Sequence, residues 1–387
     1  MNKIPYGRQE INNDDVDAVV EVLSSDFLTQ GPKVPAFEET VASYTGATYG
    51  IALNSATSAL HIACLALGLS KGDWLWTSAI TFVASANCGI YCGAKVDFVD
   101  IDPHTYNMCS KNLEKKLKQA KLENKLPKIV IPVHLSGQPC DMSEIKRLSV
   151  EYGFKIIEDA SHAIGGKYDG KPIGSCQHSD ITVFSFHPVK IITTAEGGLA
   201  LTNCSSLASK LNLLRSHGIT RDANLMEGDS HGGWYYQQID LGFNYRMTEL
   251  QAALGISQMS RLDNFVKSRH ELASRYNNRL HSLPIKLPLQ LDKSYSGMHL
   301  YIIRLKLAEL NLSHKEVFDH LVNSGIGVNL HYIPVYSHPF YKKFPFNIED
   351  FPEAEKYYKE AISIPMFHGM TIKQQDRVIE VLMDILS

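Results

Sequence analysis

No stretch of this chain approaches the ~18 consecutive apolar residues that a membrane-spanning helix needs, and the opening MNKIPYGRQEINNDD lacks the apolar centre of a secretory signal. Neither sign of charge dominates. Lys and Arg number 38 against 41 Asp and Glu, a net charge of −3, so nothing suits the chain to nucleic acid or to an anionic membrane surface. An anionic ligand has to be held by local arrangement. The seven cysteines are odd in number and show no paired spacing, which argues against a disulfide framework and for reduced thiols in the cytoplasm. Cys88 and Cys92 stand four apart in a stretch of small apolar residues. They read as helix core, not as half of a metal site, because no further Cys/His pair completes one; no metal is expected. The sequons at Asn203 and Asn311 then read as coincidence. Repeats and low-complexity segments are absent from the sequence. Gly165 to Lys171 begins like a phosphate-binding loop, but Pro172 stands where a hydroxyl residue should open the helix. Gly325-Ile-Gly327 lacks the third glycine of a dinucleotide fingerprint and precedes a strand-like run.

What is present is a chain of 387 residues, 44% of them apolar, enough for two domains and a large core. Asp14 to Leu23 predicts an amphipathic helix capped by Asn13 or Asp14, with Val16, Val19, Val20 and Leu23 inward. A second helix follows over Pro35 to Tyr44. Strand-like runs at Ile51–Leu53, Trp74–Thr77, Val96–Val99, Ile129–His134 and Phe154–Ile157 then alternate with helical ones. These include a helix from Asn54-Ser55 to about Leu67, an apolar helix from Thr81-Phe82 through Tyr91, and Asp141 to Tyr152, ended by Gly153. Repeated β-α-β units predict an α/β fold, a mostly parallel sheet with helices on both faces. From Met247 to about Leu283 the pattern is long and helical, with Leu250, Leu254, Met259, Leu262 and Phe265 forming its apolar stripe. It bridges to a smaller C-terminal α+β domain with strands at His299–Leu305 and Gly327–Tyr332, a helix near Lys315–Asn323 and a terminal helix over Gln374–Leu386. The expected boundary divides residues 1–250 from residues 251–387.

Three features sit at strand ends. Ile181 to Phe186 is an uncharged β-branched and aromatic run, a buried strand that Pro188 prevents from continuing. Lys190 is thereby presented on a tight apolar turn before Leu199 to Thr202 returns, and partial desolvation there lowers an amine's pKa and frees it as a nucleophile. Asn54-Ser55-Ala-Thr57-Ser58 opens a helix with hydroxyls and backbone N–H groups, a seat for phosphate. Glu158-Asp159 ends a buried strand, where open α/β sheets bind ligands. Pyridoxal 5′-phosphate (PLP) requires this combination: a lysine for its aldehyde, a carboxylate for its ring nitrogen, and a helix start for its phosphate.

Phe27-Leu-Thr-Gln-Gly31, Asn54-Ser-Ala-Thr-Ser-Ala-Leu60, Glu158-Asp-Ala-Ser-His162, Ser185-Phe-His-Pro-Val-Lys190, Thr194-Ala-Glu-Gly-Gly198 and Gly242-Phe-Asn-Tyr-Arg246 together resemble the DegT/DnrJ/EryC1/StrS sugar-nucleotide aminotransferases, over nearly the whole chain. The resemblance implies the aspartate-aminotransferase fold (PLP fold type I) and PLP as cofactor. Lys190 would carry PLP and shuttle the proton, Asp159 pair with the ring nitrogen, His162 lie near O3′, and Phe82 stack on the ring. Thr57, Ser58 and Ser185 would hold the phosphate. Asn244 would reach the cofactor of the neighbouring subunit, in a homodimer with active sites at its interface. Tyr6, His187, Arg246, His331 and Tyr332 would line the sugar-nucleotide pocket. Within the family the chain looks most like members that aminate C4 of a UDP-linked 4-keto-6-deoxy-N-acetylhexosamine in pseudaminic acid biosynthesis, with L-glutamate as donor. Another UDP- or dTDP-4-keto sugar, or dehydration of the sugar, stays open. Relatives that dehydrate carry histidine in place of the lysine, or an iron–sulfur cluster, for which this chain has no recognisable cysteine grouping.

Overall fold

In a computed structural model, which describes residues 3–386, seven strands form the central sheet. They are β1 (Tyr49–Leu53), β2 (Trp74–Ser78), β3 (Lys95–Val99), β4 (Ile129–Ile131), β5 (Lys155–Asp159), β6 (Ile181–Ser185) and β7 (Gly198–Thr202), in the order β1-β7-β6-β5-β4-β2-β3. The pairs β2–β3, β2–β4, β4–β5 and β5–β6 are parallel. Only β7 runs against its neighbours, β1 and β6. Because side chains alternate along a strand, β1 sends Ile51 and Leu53 to one face and Ala52 to the other. The first face packs on α3 (Ala56–Ala66), α4 (Ala84–Tyr91) and α7 (Ser205–Arg215). The second packs on α2 (Lys33–Thr45), α5 (Ser110–Leu122) and α6 (Met142–Tyr152). Cys88 is fully buried in the first of these cores, as its apolar surroundings predict.

Helix α1 (Asn13–Leu23) departs from expectation at two points. Its cap is Asn12, whose side chain accepts from the Asp15 N–H while Asp15 accepts from the Asn12 N–H. The face turned inward carries Asp15 and Val22; Val16, Val20 and Leu23 are 50%, 51% and 58% exposed, and Val19 is half-buried. Asp15 sets this rotation, because its carboxylate accepts from Ser257, Gln258 and Arg261. The long helical stretch after Met247 is likewise two helices, α8 (Glu249–Met259) and α9 (Leu262–Leu280), parted at Ser260-Arg261, where Arg261 pairs with Asp15 and Glu10. Helix α8 buries the small residues Ala252, Ala253 and Gly255, while Leu250 and Leu254 are half-buried.

The C-terminal part folds on a second, antiparallel sheet: β8 (Ile285–Lys286), β9 (Tyr301–Leu305) and β10 (Ala361–Ile364), with β9 in the middle. Around it pack α10 (His314–Asn323) and α12 (Ile372–Leu386), and α11 (Pro352–Glu360) leads into β10. The strand expected over Gly327–Tyr332 does not form. Asn329 lies beside the open edge of β10 in a single bridge to Ser363, and Ile326, just before the segment, bridges Ile4. His331 and Tyr332, at the end of this irregular segment, are joined by a cis peptide bond. Gly327 lets the N-terminal arm dock: its N–H donates to Ile4 O at 2.6 Å, and an added Cβ would lie 2.8 Å from that oxygen.

Candidate active site

The site lies where β5 and β6 end and where β7, α3 and α4 begin. β6 stops at Ser185, and the lysine turn is tied back by the Thr194 N–H and the Thr193 hydroxyl, both donating to Phe186 O at 3.0 Å. Buried Ile191 and Ile192 anchor its far side. Lys190 itself is half-buried, and burial pulls its ammonium down to about 8 against the opposing pull of Asp159.

Asp159 ends β5 and is 5% exposed. Its Oδ2 accepts from Ser85 Oγ at 2.6 Å, and its Oδ1 accepts from the Ser161 hydroxyl at 2.6 Å and the Ser161 N–H at 3.1 Å. Glu158 takes no part. By strand alternation it faces away, bonded by His134 at 2.8 Å and Thr182 at 3.3 Å.

His162 is buried, and the Ser136 N–H donates to its Nδ1 at 3.2 Å. The ring proton therefore sits on Nε2, which donates to Tyr332 Oη at 3.1 Å. Burial, with Lys190 and His331 nearby, holds this imidazole well below the usual range. His331 is fixed as the other tautomer: Nδ1–H donates to Ser363 Oγ at 2.8 Å, and Asn329 Nδ2 donates to Nε2 at 3.4 Å. Burial and the Lys190 charge bring it down to about 4. Tyr6, carried in by the N-terminal arm, packs on His331 at 5.3 Å between ring centroids. Phe82 lies 6.1 Å from the Tyr332 ring and keeps 58% of its surface exposed. Lys190, Asp159, His162, Phe82, Tyr6, His331 and Tyr332 thus converge from five separate segments.

The hydroxyl group of expected residues is assembled by strand register. Leu53 pairs with Gly198, and Gly198 with Ser185, so the start of α3 is set beside the end of β6. Ser55 caps α3 by accepting from the Ser58 N–H at 3.1 Å, and Ser58 Oγ donates to Asn54 at 2.7 Å. The N–H groups of Ala56 and Thr57 precede the first intrahelical bond. A Cβ on Gly198 would meet Ala56 N at 2.4 Å; only glycine permits this approach.

Three expected residues stand apart from the lysine cluster. His187 is exposed on the lysine turn. Asn244 is exposed and Arg246 half-buried on the segment that runs beside Leu53 and Asn54, where the Asn54 N–H donates to Tyr245 O at 2.8 Å. Sequence reasoning did not single out Ser85, Ser136, Ser161, Asn329, Ser363 or His299, the last with its ring 4.5 Å from His162. For Ser85 a signal existed, its place three residues after Phe82 in the first turn of α4. A lone His299 at the head of a strand offered none.

Comparison with solved structures adds the chemistry this arrangement serves. PseC of Helicobacter pylori, an aminotransferase involved in the biosynthesis of pseudoaminic acid, superposes with a TM-score of 0.89 at 30% identity over 100% of this chain and 99% of its own. Spr1654 of Streptococcus pneumoniae in its PLP-form gives 0.87 at 27% identity, covering 100% of both. The fold is that of the PLP-dependent aminotransferases of fold type I. Residues 9–383 match the DegT/DnrJ/EryC1/StrS aminotransferase family, and the chain belongs to it. A UDP-4-amino-4,6-dideoxy-N-acetyl-beta-L-altrosamine transaminase of Campylobacter jejuni is 39% identical over 390 residues, 99% of this chain and 98% of its own.

Proposed function

We propose that this chain transfers an amino group from L-glutamate to C4 of a UDP-linked 4-keto-6-deoxy-N-acetylhexosamine, UDP-2-acetamido-2,6-dideoxy-β-L-arabino-hex-4-ulose, in pseudaminic acid biosynthesis. The observation that carries the reading is the meeting of a lysine held near 8, a buried carboxylate and a glycine-cleared helix start at one end of the sheet. The residues present fit PLP. Lys190 offers the amine, Asp159 the acid for the ring nitrogen, Phe82 an open aromatic face, and Thr57, Ser58 and Ser185 the phosphate seat. When bound, PLP supplies the aldehyde that takes up and passes on the amino group and the ring that withdraws electrons.

Lys190 can hold or release a proton near neutral pH, which moving a proton between two carbons requires. Asp159, already bonded on both oxygens, keeps its orientation while holding the ring-nitrogen proton. His162 donates to Tyr332, so the Tyr332 hydroxyl keeps its own proton for a ligand oxygen in the pocket. Tyr6, His331 and Tyr332 form an uncharged wall suited to a sugar. Arg246 is the cation of the set, suited to a diphosphate, and His187 stands on the same turn as Lys190. Asn244 serves the cofactor of a second subunit in a cytoplasmic homodimer, and the uncovered apolar stripe of α1 supports a second copy as partner. The names of the Campylobacter relative and of PseC support the choice of sugar. The test is spectroscopic. Glutamate should convert the visible band of the holoenzyme, and one UDP-4-keto sugar among several should restore it. A band indifferent to glutamate would refute the donor, and restoration by a different sugar would refute the acceptor.

A further inference from the structure

We propose that Thr81 and Ser85 form a positioning pair that fixes the Asp159 carboxylate for the cofactor ring, an inference resting on the reading of Asp159 as the ring-nitrogen acid. Ser85 Oγ lies 2.6 Å from Asp159 Oδ2 and 2.9 Å from Thr81 Oγ1. A hydroxyl has one proton to give. Since the carboxylate can only accept, Ser85 donates to Asp159, and Thr81 must donate to Ser85. The chain therefore has one direction, from Thr81 through Ser85 to Asp159. All three are nearly sealed from water, at 1%, 0% and 5% exposure, so no solvent hydroxyl substitutes for either donor.

The count of donors identifies the atom involved. A carboxylate has about four acceptor positions, two on each oxygen. Oδ1 takes two donors, both from Ser161, and Oδ2 takes one, from Ser85. The remaining position is on Oδ2, the oxygen that Ser85 holds. The same segment bears on the other face of the ring site. Phe82 lies between Thr81 and Ser85, and its carbonyl accepts from the Ser85 N–H at 3.2 Å. One short stretch thus sets both the acid and the exposed aromatic cover. Neither hydroxyl touches the reacting atoms; both act through Asp159.

The experiment compares Ser85→Ala, Thr81→Val and Asp159→Asn for PLP affinity of the apoprotein and for the pH midpoint of the holoenzyme's visible band. Ser85→Ala should weaken PLP about tenfold, the loss expected of one hydrogen bond to a charged group, and shift the midpoint. Thr81→Val, nearly isosteric, should shift it in the same direction by less and serves if Ser85→Ala does not fold. Adding Ser85→Ala to Asp159→Asn should change little further, because the two share one interaction. Wild-type affinity and midpoint in both Ser85→Ala and Thr81→Val, with Asp159→Asn impaired, would overturn the pair while leaving the role of Asp159 intact. An unimpaired Asp159→Asn would overturn both.

Discussion

At Lys190 the decisive quantity is how much of the amine is unprotonated before any ligand arrives. A lysine at its ordinary value near 10.5 is almost wholly charged at pH 8, whereas one brought to about 8 is half free. The rate at which the apoprotein takes up PLP covalently should rise with pH to a midpoint near 8. A midpoint above 10, followed by stopped-flow absorbance, would mean that the lysine is solvated. Lys190→Ala should fold, lose the visible band and lose transamination, and retained turnover would remove Lys190 from its role. The histidines impose the opposite demand, since His162, His299 and His331 are all held neutral by burial. For His331 the folded value of about 4 lies below the 6.5 of an exposed histidine. Between those values the unfolded chain binds more protons, so stability is full above pH 6.5 and falls as the pH drops toward 4. The loss attached to this residue approaches about 3 kcal/mol at 1.36 kcal/mol per unit. Urea unfolding of the apoprotein at pH 7 and at pH 4.5 should show His331→Gln losing less stability than wild type over that interval.

At the scale of elements, the site depends on backbones brought closer than side chains allow. The start of β7 lies against the start of α3, and Gly198→Ala would place a methyl 2.4 Å from Ala56 N. The substitution should cost about 1–3 kcal/mol, as overpacking does, and weaken both PLP and inorganic phosphate, whereas a general loss of packing would lower the melting temperature and leave phosphate affinity alone. Calorimetry with and without phosphate separates the two. The same elements show what sequence can reveal. Ile181–Phe186, Glu158-Asp159 and Asn54–Ser58 were legible because each makes its own local pattern: an uncharged β-branched run, a carboxylate at its end, a hydroxyl-rich helix start. The hydroxyls behind them were not. Ser85, Ser136 and Ser363 matter only because distant segments bring Asp159, His162 and His331 against them. Gly327–Tyr332 read as a strand because its composition is strand-like, but a strand needs continuous pairing, and the segment meets β10 at the single bridge of Asn329 with Ser363. The rotation of α1 misled for a related reason. Periodicity finds an apolar stripe, but Asp15 pairing with Arg261 settles which side faces the chain's own core.

For the whole molecule, that rotation leaves an apolar surface in need of a partner. Val16, Val20 and Leu23 on α1, with Ile11, Phe27 and Leu28 beside them, are each 47–58% exposed, and contiguous exposed apolar surface marks an association site. The hairpin that pairs Ile219–Thr220 with Gln237–Gln238 carries Trp234 at 74% exposure, and the chain continues from it into Asn244. If two copies meet through α1, Val16→Asp with Val20→Glu should yield monomers in sedimentation velocity, with the fold retained. An unchanged dimer would move the interface elsewhere. The sharper question is whether Asn244 acts on its own site or on its neighbour's, and mixed dimers answer it. When Lys190→Ala and Asn244→Ala chains are refolded together in equal amounts, half the dimers are hybrids. If Asn244 acts across the interface, each hybrid has one site with neither change and one with both. Activity then recovers to about a quarter of wild type for random pairing in a two-fold dimer. If Asn244 acts within its own chain, every hybrid site carries one change, and the mixture stays at the mean of its parents.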